Sequence, residues 1–399
     1  MLIKFSFLIV IATVQLFLIG IYISIIRINN ISTSHSPNTQ FTSKLQGNSK
    51  DESPKVFVQV GKDIFVYSAF LDVRQGRFVR IVGIIVDETY RKPGELLCNI
   101  AGTKAKATFH RSRESHSLEY AAVLISCEIP MTVSTDLLAK NGLLLEGHES
   151  QSLRNELNIQ VKIPTKKTQG TGDLKIGVCV PPLFGNISPM KLIEFIEVTK
   201  IVGASHFIFY NYEIHDSLMR VLNMYVNLGD ITMKPWKHNF TKSQIWYYGQ
   251  SASIWDCLLD NMYAFDYIAF NDIDEFIVPR KMHTWQGMIQ ALLRQKQMLD
   301  RTIIAAFEFN SYIFKESSNN PRVTTNHYLQ LTTITSNMRT EASDAIRSKV
   351  IINPRKVFEL QIHHLGQGLG PEDEAVRISD SYAAVHHYRQ QPQGHSKAR

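Results

Sequence analysis

Two aspartates one residue apart, Asp272 and Asp274, follow the uncharged run Tyr267-Ile-Ala-Phe-Asn271 and lead into Glu275-Phe276. A short apolar run bounded by polar residues reads as a strand buried on both faces. Its carboxyl end is where open α/β sheets hold their ligands. Aspartates at that spacing can share a hard divalent cation with a diphosphate. A cation so placed stabilises the charge that develops on a departing nucleotide diphosphate. The chemistry these residues suggest is therefore transfer of a sugar from a nucleotide donor. A strand-end acidic cluster that caps a following helix would use the same residue types.

The cation suited to such a site is Mn²⁺ or Mg²⁺; both favour oxygen ligands, and Mn²⁺ also accepts imidazole. Asp274 is the expected direct ligand. Asp272 is expected to help hold the ion while contacting the ribose or the donor sugar, and His387 is the third candidate ligand. Lys349, within Arg347-Ser-Lys-Val-Ile351, is a candidate to neutralise the diphosphate. Gln250 and Asp256, on a helix preceding the acidic strand, are candidates to face the nucleotide. An inverting transfer needs a carboxylate to take the acceptor hydroxyl's proton. Glu308, Glu341 and Asp344 are all candidates, and the sequence does not choose among them. Trp246, Tyr247 and Tyr248 could stack on a base or a sugar, but such aromatics more often belong to a core and are given no role.

The elements that must position these residues alternate. Ile176–Val180 reads as a strand. Ser188 and Pro189 then start a helix with Leu192, Phe195, Ile196 and Val202 at helical spacing, ended by Gly203. His206–Tyr210 is the next strand, followed by a helix capped by Asp216 and a third strand at Ile231–Met233. A helix from Gln250 to Tyr263 precedes the acidic strand. Strands separated by helices predict crossover units and an α/β fold with a mostly parallel sheet, here over residues 174–390. Beyond Pro279 a helix near Trp285–Gln297 and a strand at Thr302–Phe309 are expected, and residues 313–345 are polar and irregular. Upstream, Val56–Val60, Ile64–Tyr67, Val79–Val86 and Ala121–Ile125 are rich in β-branched and aromatic residues. They predict a small β-rich domain over 55–165.

The chain of 399 residues carries a formal charge of +7 and a pI near 9.0. Its basic residues are dispersed, which suits an anionic small ligand and makes no case for nucleic acid. Phe5–Ile26 is an uncharged apolar stretch between Lys4 and Arg27, about the 20 residues a helix needs to cross a bilayer. It reads as a retained anchor behind a short tail (residues 1–4), followed by a polar stem over 27–54. Triplets that accept N-glycans, at Asn30, Asn186 and Asn239, favour a lumenal location. Four cysteines without zinc spacing suit an oxidising lumen. Cys98 and Cys127, in one β-rich segment, are the expected pair; Cys179 and Cys257 could be a second pair or buried thiols. Residues 391–399 form a polar tail.

Taken together, the motifs resemble glycosyltransferase family 92. They are Tyr67-Ser-Ala-Phe-Leu-Asp72, Cys179-Val-Pro-Pro-Leu-Phe-Gly185, Phe207-Ile-Phe-Tyr-Asn211, Tyr248-Gly-Gln250, Asp256-Cys257, Asp272-Ile-Asp-Glu-Phe276 with Pro279, and His387-Tyr-Arg389. In order they cover residues 54–390. The resemblance implies a GT-A-type catalytic domain in a single-pass type II Golgi membrane protein with its catalytic domain in the lumen. It further implies a metal-dependent, inverting β-1,4-galactosyltransferase taking UDP-galactose to a glycan or glycoprotein acceptor such as the core fucose of an N-glycan. The family's metal motif falls on Asp272 and Asp274, and its terminal motif on His387, Tyr388 and Arg389. Use of another UDP-sugar, or an inactive lumenal glycan-binding protein on the same fold, are the competing expectations.

Overall fold

The computed structural model describes residues 57–88, 94–147, 156–164, 173–297, 303–316, 331–336 and 338–389. The expected anchor and stem, the triplet at Asn30 and the polar tail lie outside the described residues. Among the described residues, no helix is long and apolar enough to cross a membrane.

Residues 57–163 form two stacked β-sheets. The larger contains Ile64–Asp72, Phe78–Val86 and Tyr120–Glu128, and the smaller contains Leu96–Ile100 and Leu143–Gly147. Val66, Ile81, Val123 and Ile125 of the larger sheet meet Leu96, Leu143 and Leu145 of the smaller. The disulfide Cys98–Cys127 joins the two sheets, as expected from sequence. The other face of the larger sheet is also covered. Phe70, Val82, Ile84 and Leu124 pack against Trp236, Trp255 and Leu258 from the second half of the chain. Burial on both faces explains why these strands read as continuous apolar runs instead of alternating.

The second half is built on a nine-stranded sheet. Within it we number strands β1 (Ile176–Gly185), β2 (His206–Ile214), β3 (Ile231–Pro235), β4 (Tyr267–Phe270), β5 (Glu275–Pro279), β6 (Ile303–Lys315), β7 (Asp344–Ile352), β8 (Val357–Leu360), β9 (Leu365–Gly368), β10 (Asp373–Ile378) and β11 (Ala383–Arg389). The helices are α1 (Pro189–Ile201), α2 (Asp216–Asn227), α3 (Gln250–Asn261) and α4 (Trp285–Gln297). β8 and β9 form a separate hairpin. The main sheet runs β3-β2-β1-β4-β7-β6-β11-β5, with β10 also on β6.

The first four strands of this order are parallel. Beyond them β4–β7, β7–β6 and β11–β5 pair antiparallel. The sheet is therefore mixed: β6 also pairs parallel with β10 and β11, so five of its eight ladders are parallel and three antiparallel. The antiparallel ladders all come from β5 and β7, which turn back against their neighbours outside the crossover pattern of residues 176–270. The chain moves from β1 to β2 on one side and comes back to β4 on the other. The gap beyond the carboxyl ends of β1 and β4 is thus the point where the winding reverses, a favoured ligand position.

α1, α2 and α4 cover one face of this sheet through Leu192, Phe195, Leu222, Tyr225 and Trp285. α3 lies on the other face, between the main sheet and the larger sheet of the first half. The second disulfide, Cys179–Cys257, ties α3 to β1. By closing a loop with a sequence separation of 78 residues, it contributes about 4 kcal/mol in the chain-entropy account.

Asp256 occupies the centre of this layer and is 1% exposed. It accepts hydrogen bonds from Ser68 Oγ of the β-sandwich (2.6 Å), Tyr210 Oη of β2 (2.6 Å) and Lys234 Nζ of β3 (2.5 Å). A buried carboxylate with three donors joins the two halves of the chain, and its removal takes this acceptor from the Ser68 and Tyr210 hydroxyls and leaves Lys234 with Asp260 alone. Asp256→Ala should therefore lose about 3 kcal/mol or more of stability, read as a fall in the urea midpoint. Asp256→Asn, which keeps one acceptor oxygen for these hydroxyls, should lose less.

Candidate active site

β4 ends at Phe270 and the chain turns through Asn271–Asp274 directly into β5. No helix follows, so the acidic residues cap nothing. The turn is closed by the Glu275 amide donating to the Asp272 carbonyl (3.1 Å) and by Asn271 Nδ2 donating to the Glu275 carbonyl (3.1 Å). β5 pairs with β11 so that Glu275 lies opposite His387, and the Tyr388 amide donates to the Asp274 carbonyl (2.8 Å). Two residues more than a hundred positions apart are thereby fixed side by side. Alternation along β11 sends His387 towards the turn and His386 to the other face, where its ring meets Phe314.

A cleft of about 590 Å³ opens at this point. Its lining includes Asp272, Asp274, Glu275 and His387 on one side, and Pro181–Phe184, Trp246, Tyr247 and Gln250 on the other. Arg347 and Arg389 add positive charge to its lining beside His363, whose imidazole is pushed down to about 4 by burial and the Lys349 charge. Deeper in, a small pocket between β1, β4 and α3 is lined by Tyr210, Gln250, Ser253, Asn271, Asp272 and Lys349. Asn271 Oδ1 is buried there with no hydrogen-bond partner among the described residues.

Lys349 is 2% exposed and is not a solvated lysine. Its Nζ lies 2.8 Å from Asp272 Oδ2 and 2.8 Å from Glu275 Oε2. Burial alone would strip its proton, but the two carboxylates outweigh burial and keep it charged. For Asp272, burial opposes ionisation, and the Lys349 ammonium overcomes it and holds the carboxyl below the usual range. Glu275 goes the other way. Burial pushes it up to about 7, with Lys349 pulling down and Asp272 pushing further up. One ammonium cannot fully neutralise two carboxylates, and the more deeply buried one keeps its proton longer.

Asp274 is more open, and its Oδ2 lies 3.4 Å from His387 Nε2. Burial lowers the imidazole's proton affinity, yet the hydrogen bond to Asp274 and the charge of Glu275 raise it overall. His387 Nδ1 sits 3.3 Å from Glu275 Oε1, within ion-pair distance but without hydrogen-bond geometry. Asp274 and His387 thus present a carboxylate and an imidazole to the same wall of the cleft, with Asp272 beside them. Among the described residues, no three acidic, histidine or cysteine side chains already converge on one point. A hard cation that keeps several waters and takes substrate phosphates as ligands needs only one or two protein ligands. The donor set fits such an ion.

The remaining candidates separate. Gln250, the first residue of α3, lines both the cleft and the small pocket. Asp256 lines neither; its carboxylate is consumed by the interdomain contacts, so the expectation that it faces the nucleotide is corrected. Glu308 is bound by Arg377 (2.8 Å) and the Leu365 amide (3.1 Å). Asp344 accepts from the Ile346 and Arg347 amides at the start of β7. Glu341 is exposed in a bend. None of these three candidate bases lines the cleft.

The sequence reading passed over the aromatic wall. Tyr247 and Tyr248 both adopt left-handed backbone (φ 40° and 53°), followed by Gly249 at φ 84°. That conformation costs a non-glycine residue about 1–2 kcal/mol. It is held because Trp236 Nε1 (2.8 Å) and His238 Nε2 (3.0 Å) both contact the Tyr248 carbonyl and Tyr212 stacks on its ring. The only sequence hint was Tyr247-Tyr248-Gly249, a bulky pair before a glycine.

The profile of glycosyltransferase family 92 matches residues 175–398. The chain belongs to glycosyltransferase family 92. It is 27% identical over 344 residues to the beta-1,4-galactosyltransferase galt-1 of Caenorhabditis elegans, spanning 84% of this chain and 76% of that one. It is 23% identical over 195 residues to the galactan beta-1,4-galactosyltransferase GALS3 of Arabidopsis thaliana, spanning 45% of this chain and 38% of that one. Against the solved S. aureus TarS 1-349 the TM-score is 0.20 at 13% identity, covering 38% of this chain and 39% of that one. Family membership makes this chain a glycosyltransferase. A nucleotide-sugar donor and a glycan acceptor follow from that membership.

The charge pattern of this family 92 site has a measurable signature. Glu275 would release its proton near 4.5 in an unfolded chain and does so near 7 when folded. Between those values the folded state holds more protons, so this group's stabilisation is present at low pH and lost as pH rises towards 7. The urea midpoint of the wild type should fall from pH 5 to 7.5, and Glu275→Gln should flatten that fall. Equal slopes in both proteins would contradict the assignment.

Proposed function

We propose that this protein transfers galactose from UDP-galactose, with inversion and in β-1,4 linkage, to a glycan acceptor such as the core fucose of an N-glycan. The observation that carries the reading is the shared wall of Asp274, His387 and Asp272 at the winding reversal of the sheet. The galactosyltransferase names of two relatives in different kingdoms support the choice of sugar and linkage.

On this reading Asp274 and His387 hold Mn²⁺ or Mg²⁺, with Asp272 beside them and the donor's phosphates completing the ligand set. The ion, when bound, supplies Lewis-acid stabilisation of the departing diphosphate. The chain's own residues do the rest. Lys349 pins Asp272, so that carboxylate is already oriented when the donor arrives. Because Lys349 is committed to that task, Arg347, half exposed with Asp344 4.0 Å away, and Arg389 are the cleft cations assigned to attract the diphosphate. Gln250, in the cleft wall, offers a polar group to the nucleotide.

Purified lumenal protein incubated with Mn²⁺ and a panel of UDP-sugars should transfer galactose to a fucosylated N-glycan core. Asp274→Ala should lower that transfer by at least a hundredfold while leaving the unfolding midpoint within about 1 kcal/mol of wild type. Full activity of the variant would remove the assigned ligand. Since a metal-binding imidazole must be neutral, the apparent affinity for Mn²⁺ should rise with pH across the histidine range, measured by titrating activity with the ion.

We further propose a Golgi-lumenal location behind the Phe5–Ile26 anchor. Asn186 and Asn239 are both exposed and so accessible to N-glycosylation. Digestion of the cell-expressed protein with an N-glycosidase should increase its electrophoretic mobility. Unchanged mobility, with both asparagines found unmodified by mass spectrometry, would contradict this location.

A further inference from the structure

The cleft has a wall that the proposed metal and diphosphate chemistry does not use. Tyr247 is 51% exposed, although it belongs to an otherwise well-packed aromatic group. Phe184 meets it edge-on with ring centroids 5.7 Å apart, and Trp246 lies 5.1 Å away. All three line the cleft. The ring is held out by the left-handed turn at Tyr247–Gly249, which is over-determined by the two donors on the Tyr248 carbonyl. Backbone strain fixed from several sides is a mark of ligand clamps. The platform is also braced from the other half of the chain. His116 of the β-sandwich stacks on Trp246 at 3.8 Å, and the Tyr120 amide donates to the Gln244 carbonyl (2.9 Å). His116, like Tyr247, has left-handed backbone (φ 52°).

We propose that Trp246 and Tyr247 form a stacking platform for a pyranose ring of the acceptor glycan, with the β-sandwich holding it in place through His116. This deepens the functional reading above and rests on it for the identity of the acceptor. A half-wet aromatic ring with fixed orientation suits the apolar C–H face of a sugar, whose hydroxyls stay in water at the rim. The other ring that could stack there is the donor's uracil. The small pocket beside Asp272 holds about 10 Å³, room for one water and not for a nucleoside, so the UDP arm of the test below separates the two rings. Tyr247, half exposed at the rim, faces the solvent from which the acceptor arrives.

Two substitutions separate the ring from the backbone. Tyr247→Asn removes the ring and tolerates left-handed backbone; Tyr247→Phe keeps the ring. The probes are UDP with Mn²⁺, followed by calorimetry, and a fucosylated N-glycan core oligosaccharide, followed by saturation-transfer NMR without donor and by acceptor KM where transfer occurs. Tyr247→Asn should weaken glycan binding and raise acceptor KM about tenfold, leave UDP affinity within twofold, and be rescued by Tyr247→Phe. His116→Ala should give a smaller loss of the same kind. If UDP affinity falls while glycan binding is unchanged, the platform holds the base and the inference is overturned. If neither changes, it is overturned as well. Absence of galactose transfer by the wild type would instead count against the proposed activity, and glycan contact at Tyr247 by NMR would still decide the platform.

Discussion

A single buried ammonium holds this site together. Asp272, Asp274 and Glu275 lie within four residues of one another at the end of a strand, and three carboxylates that close repel. Lys349 enters between two of them, 2.8 Å from each, and cannot leave without exposing both. What remains is Asp274, a cleft carboxylate that Lys349 does not hold, with a histidine beside it. A buried ion pair of this kind is weak evidence for stability, since desolvation offsets much of the attraction. Its contribution here is orientation: it decides which acidic side chain is committed and which is available.

That division depends on the mixed character of the sheet. The parallel strands β3-β2-β1-β4 create the crevice, as in other α/β sheets. The residues that give it its chemistry arrive on later strands of the sheet. β7 lies antiparallel against β4 and delivers Lys349 and Arg347; β11 lies antiparallel against β5 and delivers His387 and Arg389. The β4–β7 and β5–β11 ladders bring these four side chains to one opening.

The β-sandwich is equally part of the catalytic half. Its larger sheet has no solvent face, because α3 and Trp236 cover it. The Asp256 network, the contacts of Arg74 Nη1 with the Pro354 and Val357 carbonyls, and the stack of His116 on Trp246 all cross the same boundary. Ordering of the cleft's aromatic side therefore involves residues from both halves of the chain, which argues that the two fold as one cooperative body.

Composition and local pattern alone determined much of this molecule. The alternation of apolar runs with capped helices placed β1, β2, β3, α1 and α2, since those signals are carried by neighbouring residues. The acidic pair after an uncharged strand was also legible, because strand-end carboxylates sit where such sheets bind ligands. Tertiary structure decided the rest. Asp256 looks in sequence like any polar residue on a helix, and only the arrival of Ser68, Tyr210 and Lys234 makes it a buried junction. Glu308 and Asp344 looked like available bases until long-range partners and local amides claimed their oxygens. Lys349 looked available to the diphosphate, and Tyr247 looked like core, because exposure is a property of what packs against a residue. Partners separated by up to about two hundred residues set those environments, and no local pattern encodes them.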